Sequence, residues 1–344
     1  MTAILDVSDL RTSFRTEDGI VKAVDGVSFT VEKGKTLGIV GESGSGKSVT
    51  CLTVMGLNDK RRATSSGSVR FHDEEILDAS SDKLREIRGA GIAMIFQDPM
   101  TSLNPVKSIG WQLQEAVLVH QDVTRRAAYD RALELLRAVG IPRAEVRIDD
   151  YPHQFSGGMR QRVMIAMALV NNPDILIADE PTTALDVTTQ AQILRLLQRL
   201  QDEFHMAIVM ITHDLGVIAE IADDVIVMYA GKVVEHSSVN EIFERPQHPY
   251  TWGLLGSLPR LHGASDRLYQ IPGQPPSLLR PPSGCAFHPR CEFAFERCPV
   301  EVPPLFELGA EDGQTHLHRC LLDDARRAQI WQRKRLEIKG EEAA

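Results

Sequence analysis

No apolar stretch of this 344-residue chain approaches the roughly 18 to 20 consecutive residues needed to span a bilayer. The longest, such as Val163-Met164-Ile165-Ala166-Met167-Ala168-Leu169-Val170, suit buried helices or strands. Basic excess is missing too: 38 Lys and Arg stand against 47 Asp and Glu, a net charge of -9, which argues against a protein whose main task is gripping nucleic acid. The amino terminus has no basic segment followed by an apolar stretch, so no secretory signal is evident and the sequence reads as cytosolic. Cysteine is scarce, five in all, with Cys51 alone and the others confined to the carboxyl-terminal part. What remains is ordinary globular composition, 43% hydrophobic and 25% charged, in a chain long enough for two domains or one large domain with an appendage.

Against that background the run Gly41-Glu42-Ser43-Gly44-Ser45-Gly46-Lys47-Ser48 stands out, because it fits the phosphate-cradling pattern G-x-x-x-x-G-K-[ST]. Lys35 to Val40 before it reads as a short buried strand, and Val49 to Met55 after it as the opening of a helix. Glycines let such a loop bend so that successive backbone N–H groups converge on phosphate, and the helix N-terminus adds partial positive charge. Lys47 would neutralise phosphate charge and the Ser48 hydroxyl would hold Mg²⁺. About 130 residues further on, Ile175-Leu176-Ile177-Ala178-Asp179-Glu180 is an apolar strand ending in two carboxylates. A strand of this kind delivers its acids to the carboxyl edge of a parallel sheet, with Asp179 placed to orient Mg²⁺ and Glu180 to accept a proton from the attacking water.

Between them lies Gln154-Phe155-Ser156-Gly157-Gly158-Met159-Arg160-Gln161-Arg162, followed by a helical apolar pattern at Val163, Ala166, Met167 and Val170. A second phosphate-binding helix start is redundant for one nucleotide in one subunit. The segment resembles the Leu-Ser-Gly-Gly-Gln signature of ATP-binding cassette (ABC) ATPases, with Phe155 and Met159 as departures. In that family the signature of one subunit closes on the ATP held by the phosphate loop of another, so Ser156, Gly157 and Gly158 would complete a partner's site. The resemblance extends, in order, to other positions. Gln97 resembles the Q-loop glutamine, which senses Mg²⁺ and the attacking water; Thr183-Ala184-Leu185-Asp186 the D-loop; His213 the switch histidine that contacts the γ-phosphate; and Phe14 the aromatic that stacks on adenine. The implied ATP site comprises Phe14, Gly41, Ser43, Gly44, Gly46, Lys47 and Ser48, with Ser48, Gln97 and Asp179 toward Mg²⁺, and with Glu180, His213 and Gln97 as the catalytic set. The implied fold is an α/β P-loop ATPase with a RecA-like core, an antiparallel β subdomain and a helical subdomain over about 98–170.

The phosphate loop and the signature are only about 110 residues apart, without the long coiled coil of structural-maintenance repair ATPases, and each occurs once, unlike the two-cassette translation types. Gln97-Asp98-Pro99-Met100-Thr101-Ser102-Leu103-Asn104-Pro105 is similar to the Q-loop continuation of the dipeptide, oligopeptide and nickel importer subfamily. Beyond residue 245 prolines become frequent, a mark of linkers and loops. There His248-Pro249-Tyr250, Ile271-Pro272-Gly273-Gln274-Pro275-Pro276 and Phe287-His288-Pro289-Arg290-Cys291 resemble the extension of the same importer ATPases. The expected organisation is therefore a nucleotide-binding domain over 1–245 and a small, loop-rich appendage over 246–344. The resemblance implies an ATPase at the cytoplasmic face of the bacterial inner membrane. Its partners would be a second ATPase subunit, two transmembrane permease subunits and an extracytoplasmic peptide-binding protein, with no nucleic acid. A soluble ABC-type ATPase acting on nucleic acid or ribosomes is the alternative.

Cys285, Cys291, Cys298 and Cys320 are separated by five, six and twenty-one residues. Four thiols in a loop-rich cytosolic segment point to a metal centre rather than disulfides. Zinc favours C-x₂₋₄-C pairs, which are absent here, whereas the wider spacing and the Cys298-Pro299 step point to a [4Fe–4S] cluster; zinc and structural thiols are the alternatives. Some importer ATPases of this kind carry such a cluster, so the resemblance implies it as well. Cys51 reads as a packed core thiol, and His288, His316 and His318 as surface or hydrogen-bonding residues rather than ligands.

Overall fold

A computed structural model describes residues 3–97, 102–183, 185–258, 270–309 and 315–339. Asp98, Pro99, Met100 and Thr101 of the Q-loop continuation, Ala184 of the D-loop and Pro259 lie outside them. The chain forms two compact units, one of residues 1–5, 30–36 and 71–211, the other of residues 6–29, 37–70 and 212–344.

In the first unit, the strand Ile175–Asp179 runs parallel to both Ile92–Ile95 and Ala207–Thr212, with Ile92 opposite Ile175 and Asp179 opposite Ile211. Every residue of Ile175–Asp179 and of Ala207–Thr212 is buried. Parallel strands are covered on both faces, so they are written as unbroken apolar runs, and the sequence reads accordingly. Around them lie amphipathic helices. Arg125–Ala138 buries Ala128, Ala132, Leu135 and Leu136, a stripe at helical spacing, and Val187–Phe204 buries Ile193, Leu196, Leu197 and Leu200 in the same way. Their starts are fixed chemically: Ser108, Thr124, Ser156 and Asp186 each accept a hydrogen bond from a backbone N–H in the first turn of the helix that follows. Each such cap contributes about 1 kcal/mol.

Gly19–Glu32, Ala3–Thr16 and Ala63–Phe71, most of whose residues belong to the second unit, lie side by side in that order. A separate parallel pair joins the strand Thr36–Val40 to Asp224–Tyr229, with Leu37 opposite Asp224 and Val40 opposite Val227. Tyr229 turns into Lys232–Ser238 through Ala230-Gly231, both at positive φ (48° and 80°), the pairing that a tight two-residue hairpin requires. A bulge between Val233 and Glu235 shifts the register by one, and Val233, Val234 and Glu235 are all buried. The carboxyl-terminal segment continues this sheet: Thr315–His318 pairs antiparallel with Lys232–Ser238, and Phe306–Gly309 pairs with Thr315–His318. Two helices of the same segment, Pro249–Gly256 and Asp324–Lys339, meet through Trp252 and Trp331, whose rings stack 6.5 Å apart. Among the described residues no helix is long and apolar enough to cross a membrane.

Candidate active site

The strand Thr36–Val40 ends at the phosphate loop, and the helix Lys47–Val54 begins where the loop stops. Gly41, Gly44 and Gly46 hold φ values of 152°, 78° and 104°, backbone conformations that a side chain resists. A Cβ on Gly41 would stand 2.2 Å from the Met228 carbonyl oxygen, and one on Gly46 2.4 Å from that of Ala23, so the loop is also pressed against its neighbours. At Gly44 the space outside is open. The Gly231 N–H donates to the Ser45 carbonyl at 2.9 Å and pins the loop's crown. Lys47 is buried, and its ammonium donates to the carbonyls of Gly41 at 2.7 Å and Glu42 at 3.0 Å.

No side chain caps the helix Lys47–Val54, because its N-cap is Gly46. Ser45 Oγ, buried, has no hydrogen-bond partner among the described residues. An uncapped helix start, a buried hydroxyl without a partner and a buried ammonium form a donor-rich cradle, and that donor set fits a polyphosphate. Ser48 is half-buried at the first turn, and Phe14, on the strand Ala3–Thr16, is half-buried as well.

The acidic pair belongs to the first unit. Asp179 is buried at the end of its strand. Glu180, next in sequence, adopts φ 48°, a left-handed conformation uncommon for a residue with a Cβ, and its N–H donates to the Ile211 carbonyl at 2.9 Å. Its carboxyl is held from two directions. Gln97 Nε2 and Thr183 Oγ1 both donate to Oε2, each at 2.9 Å. The structure thus brings Gln97 and Glu180 together across 83 positions of sequence. Thr183, read only as part of the D-loop, turns out to hold the Glu180 carboxyl, and its place three residues after Glu180 was the signal for it.

The signature segment starts a helix, as expected. Ser156 is the N-cap of Gly157–Leu169, accepting from Met159 N at 3.4 Å, and Ser156 and Gly157 are exposed. Phe155, a departure from the signature pattern, is buried in the core. A Cβ on Gly158 would meet Thr189 Cγ2 at 2.9 Å. Asp186 caps Val187–Phe204 through Thr189 N at 3.0 Å and Thr189 Oγ1 at 2.7 Å, and those hydrogen bonds hold its pKa below the usual carboxylate value. His213 is exposed in the second unit, directly before Asp214, which caps the helix Leu215–Ile221.

The iron–sulfur expectation is corrected by the structure. Among the described residues, which include Cys285, Cys291, Cys298 and Cys320, no group of three or more His, Cys, Asp or Glu side chains could hold a metal ion. Burial pushes the Cys291 and Cys320 thiols up to about 12 and raises that of Cys285. Hydrogen bonds to main-chain carbonyls hold the segment instead: Cys285 N donates to the Cys298 carbonyl at 2.8 Å, and the Ser283 side-chain Oγ to the Pro299 carbonyl at 2.7 Å. Cys51 is buried in its helix, and His316 and His318 are buried rather than superficial, with His316 Nε2 2.8 Å from Glu235 Oε1.

Comparison with known proteins accounts for the presence of loop, carboxylates and signature helix in one chain. The ABC transporter family matches residues 24–183, and the oligopeptide/dipeptide transporter C-terminal region matches residues 234–298. The dipeptide transport ATP-binding protein DppD of Lactococcus lactis is 53% identical over 328 residues, covering 95% of this chain and 93% of its own. The chain belongs to the ABC transporter ATPases. Within that family, the oligopeptide transport ATP-binding protein OppD of Escherichia coli is 52% identical over 305 residues, covering 89% of this chain and 90% of its own. A solved dimeric ATP-binding cassette in a post-hydrolysis state, bound to ADP and Pi, superposes with a TM-score of 0.61 at 29% identity. That match covers 68% of this chain and 98% of the solved one. The ABC cassette fold anticipated from the motifs is thus the fold of this chain.

Proposed function

We propose that this ABC ATPase is the energy-coupling subunit of an importer for di- or oligopeptides. The observation that carries the reading is the occurrence in one chain of a phosphate loop, a strand ending in Asp179 and Glu180, and the oligopeptide/dipeptide C-terminal region over residues 234–298. That region favours the importer over a soluble ABC-type ATPase acting on nucleic acid or ribosomes.

In this reading the backbone of Gly41 to Ser48 and the Lys47 ammonium bind the β- and γ-phosphates of ATP, and Phe14 stacks on the adenine. Mg²⁺, which neutralises phosphate charge when bound, is held by Ser48, Gln97 and Asp179. Glu180 accepts the proton of the attacking water, and Gln97 and Thr183, both bonded to its Oε2, fix the plane of the carboxyl that does so. The strained φ of Glu180 supports the assignment, since such conformations concentrate where a side chain must be aimed. His213 contacts the γ-phosphate. Ser156, Gly157 and Gly158 close on the nucleotide of a partner cassette, and Asp186 lies along that contact. The partner cassette is a second ATPase subunit, a different chain, and the pair works on two transmembrane permease subunits supplied by an extracytoplasmic peptide-binding protein. The assembly sits at the cytoplasmic face of the bacterial inner membrane. Residues 1–245 form the nucleotide-binding domain, with its helical subdomain at about 98–170, and residues 246–344 the extension.

Glu180→Gln in the assembled transporter tests the chemistry. ATP binding should persist while turnover falls about 10²- to 10⁴-fold, the contribution of a positioned general base. Hydrolysis at the wild-type rate would remove Glu180 from the mechanism.

A further inference from the structure

Three motifs of the extension have no part in the reaction as proposed: His248-Pro249-Tyr250, Ile271-Pro272-Gly273 and Phe287-His288-Pro289-Arg290. All three converge on one residue of the phosphate loop. The Arg290 guanidinium forms a two-pronged pair with Glu42, Nη1 to Oε2 at 2.6 Å and Nη2 to Oε1 at 2.9 Å. Its Nε donates to the Pro272 carbonyl at 2.8 Å, which fixes the plane of the fork. The guanidinium also lies 5.9 Å from the Tyr229 ring centre and 6.0 Å from that of Phe287. From the other side the Glu42 N–H donates to the Tyr250 hydroxyl at 2.7 Å. Tyr229, Tyr250 and Phe287 pack against one another with ring centres 4.6 to 5.4 Å apart, so both grips rest on one rigid aromatic cluster.

The Arg290 side chain is only 5% exposed and that of Glu42 27%, so the pair is shielded from water on the arginine side. A buried guanidinium is expensive without a counter-charge, and bidentate geometry is what makes such a pair favourable. Glu42 in turn touches the phosphate-binding groups directly. Its carbonyl accepts from Lys47 Nζ at 3.0 Å and from Ser45 N at 3.2 Å. Side chain, N–H and carbonyl of one loop residue are therefore tied, in order, to Arg290, Tyr250 and Lys47.

We infer that the carboxyl-terminal extension clamps the phosphate loop, with Arg290 and Tyr250 as positioning residues that act through Glu42 to hold the loop and Lys47 ready for triphosphate. The inference deepens the proposed function and rests on its assignment of the loop to ATP. A loop fixed before binding loses less conformational freedom when the nucleotide arrives, so the clamp acts on affinity. The groups assigned to chemistry, Glu180 and Gln97, are not part of it, so turnover at saturating ATP is spared.

The test uses the assembled transporter and ATP titrations. Arg290→Ala and Glu42→Gln should each raise KM for ATP about fivefold to fiftyfold, in the range of measured pair couplings, while kcat stays within about twofold. The double variant should be no worse than the poorer single one, because both remove the same link. Tyr250→Phe, which lacks the acceptor for Glu42 N–H, should raise KM less, by about threefold. Arg290→Lys should recover part of the loss, keeping the charge and losing the fork. An unchanged KM in Arg290→Ala, or an additive double variant, would overturn the clamp. If Arg290→Ala does not fold, Tyr250→Phe and Glu42→Gln decide, and normal KM in both overturns it equally. Lys47→Ala separates the two claims: if it too binds ATP normally, the loop assignment fails, whereas lost binding in Lys47→Ala beside normal KM in the clamp variants sinks the clamp alone.

Discussion

Truncating Glu235 to alanine should loosen the carboxyl-terminal extension from the sheet it extends. Glu235 is fully buried at the bulge of Lys232–Ser238 and accepts from three donors: Gln247 N at 2.5 Å, His248 N at 2.9 Å and Thr251 Oγ1 at 2.6 Å. His316 Nε2 stands 2.8 Å from Oε1, and that residue comes from the added strand Thr315–His318. One carboxyl thus joins the start of the helix Pro249–Gly256 to the edge of the sheet. Alanine leaves two backbone N–H groups, a hydroxyl and an imidazole without that acceptor in a dry site. At roughly 1 kcal/mol net for each contact the cost is about 4 kcal/mol. For a cooperative unit of this size, that corresponds to a fall in Tm of roughly 8 to 16 °C. Glu235→Gln should cost about half as much, since one oxygen remains and the new NH₂ faces two donors. Thermal melts followed by tryptophan fluorescence read the effect, because Trp252 and Trp331 are buried in the affected helices. A fall of less than about 2 °C in Glu235→Ala would show that water or repacking replaces the carboxyl and that the network is not what fastens the extension.

Stability should decline as the solution is acidified from neutral. Burial, reinforced by Arg327, pushes His248 down to about 4 against the opposing pull of Glu235, and burial with Arg327, His248 and His316 takes His318 down to about 3. Above about pH 6.5 both states hold these rings neutral and nothing is lost, whereas between 6.5 and about 4 the unfolded chain takes up protons that the folded one refuses. Each ring therefore costs roughly 2 kcal/mol by pH 5, and a urea midpoint unchanged between pH 7 and pH 5 would contradict this. Gly46→Ala, whose Cβ would stand 2.4 Å from the Ala23 carbonyl at φ 104°, should abolish binding of a fluorescent ATP analogue. Gly44→Ala, with open space around it, should weaken binding only through the strain of φ 78°, so equal losses in the two variants would refute the close-packing argument.

Much of the nucleotide-binding part was legible because its signals are local. Ile175–Asp179 and Ala207–Thr212 are apolar up to their last residue since both faces are covered, and the glycines of the phosphate loop carry the left-handed φ values that the motif requires. The extension was harder to read for a physical reason. Its strands, Phe-Glu-Leu-Gly over Phe306–Gly309 and Thr-His-Leu-His over Thr315–His318, are short and polar, and become strands only because the bulged edge of Lys232–Ser238 offers them partners and Glu235 offers His316 a hydrogen bond. The helix Asp324–Lys339 is rich in charge, and one of the residues on its buried face, beside Ile330 and Trp331, is Arg327. Arg327 is accommodated by Gln247 Oε1 at 3.0 Å, Asp324 Oδ1 at 2.6 Å and the Leu322 carbonyl, contacts no periodicity reveals. Cysteine spacing misled because it counts thiols without their surroundings, and among the described residues the fold gathers no group of three or more side chains that could hold a metal ion. Glu180 was named from its strand and Gln97 from the family resemblance, but that Gln97 and Thr183 hold the same carboxyl oxygen is seen only in the fold.

The most direct test of the central claim is uptake of radiolabelled di- and oligopeptides by cells that lack the gene for this chain and are complemented with the wild-type protein, Lys47→Ala or Glu180→Gln. The account predicts that deletion abolishes peptide accumulation and that the wild type restores it. Both variants should fail to restore it while reaching normal levels in the membrane fraction. Peptide uptake that survives deletion, or that Glu180→Gln restores in full, would contradict the assignment of this ABC ATPase to peptide import driven by its own hydrolysis.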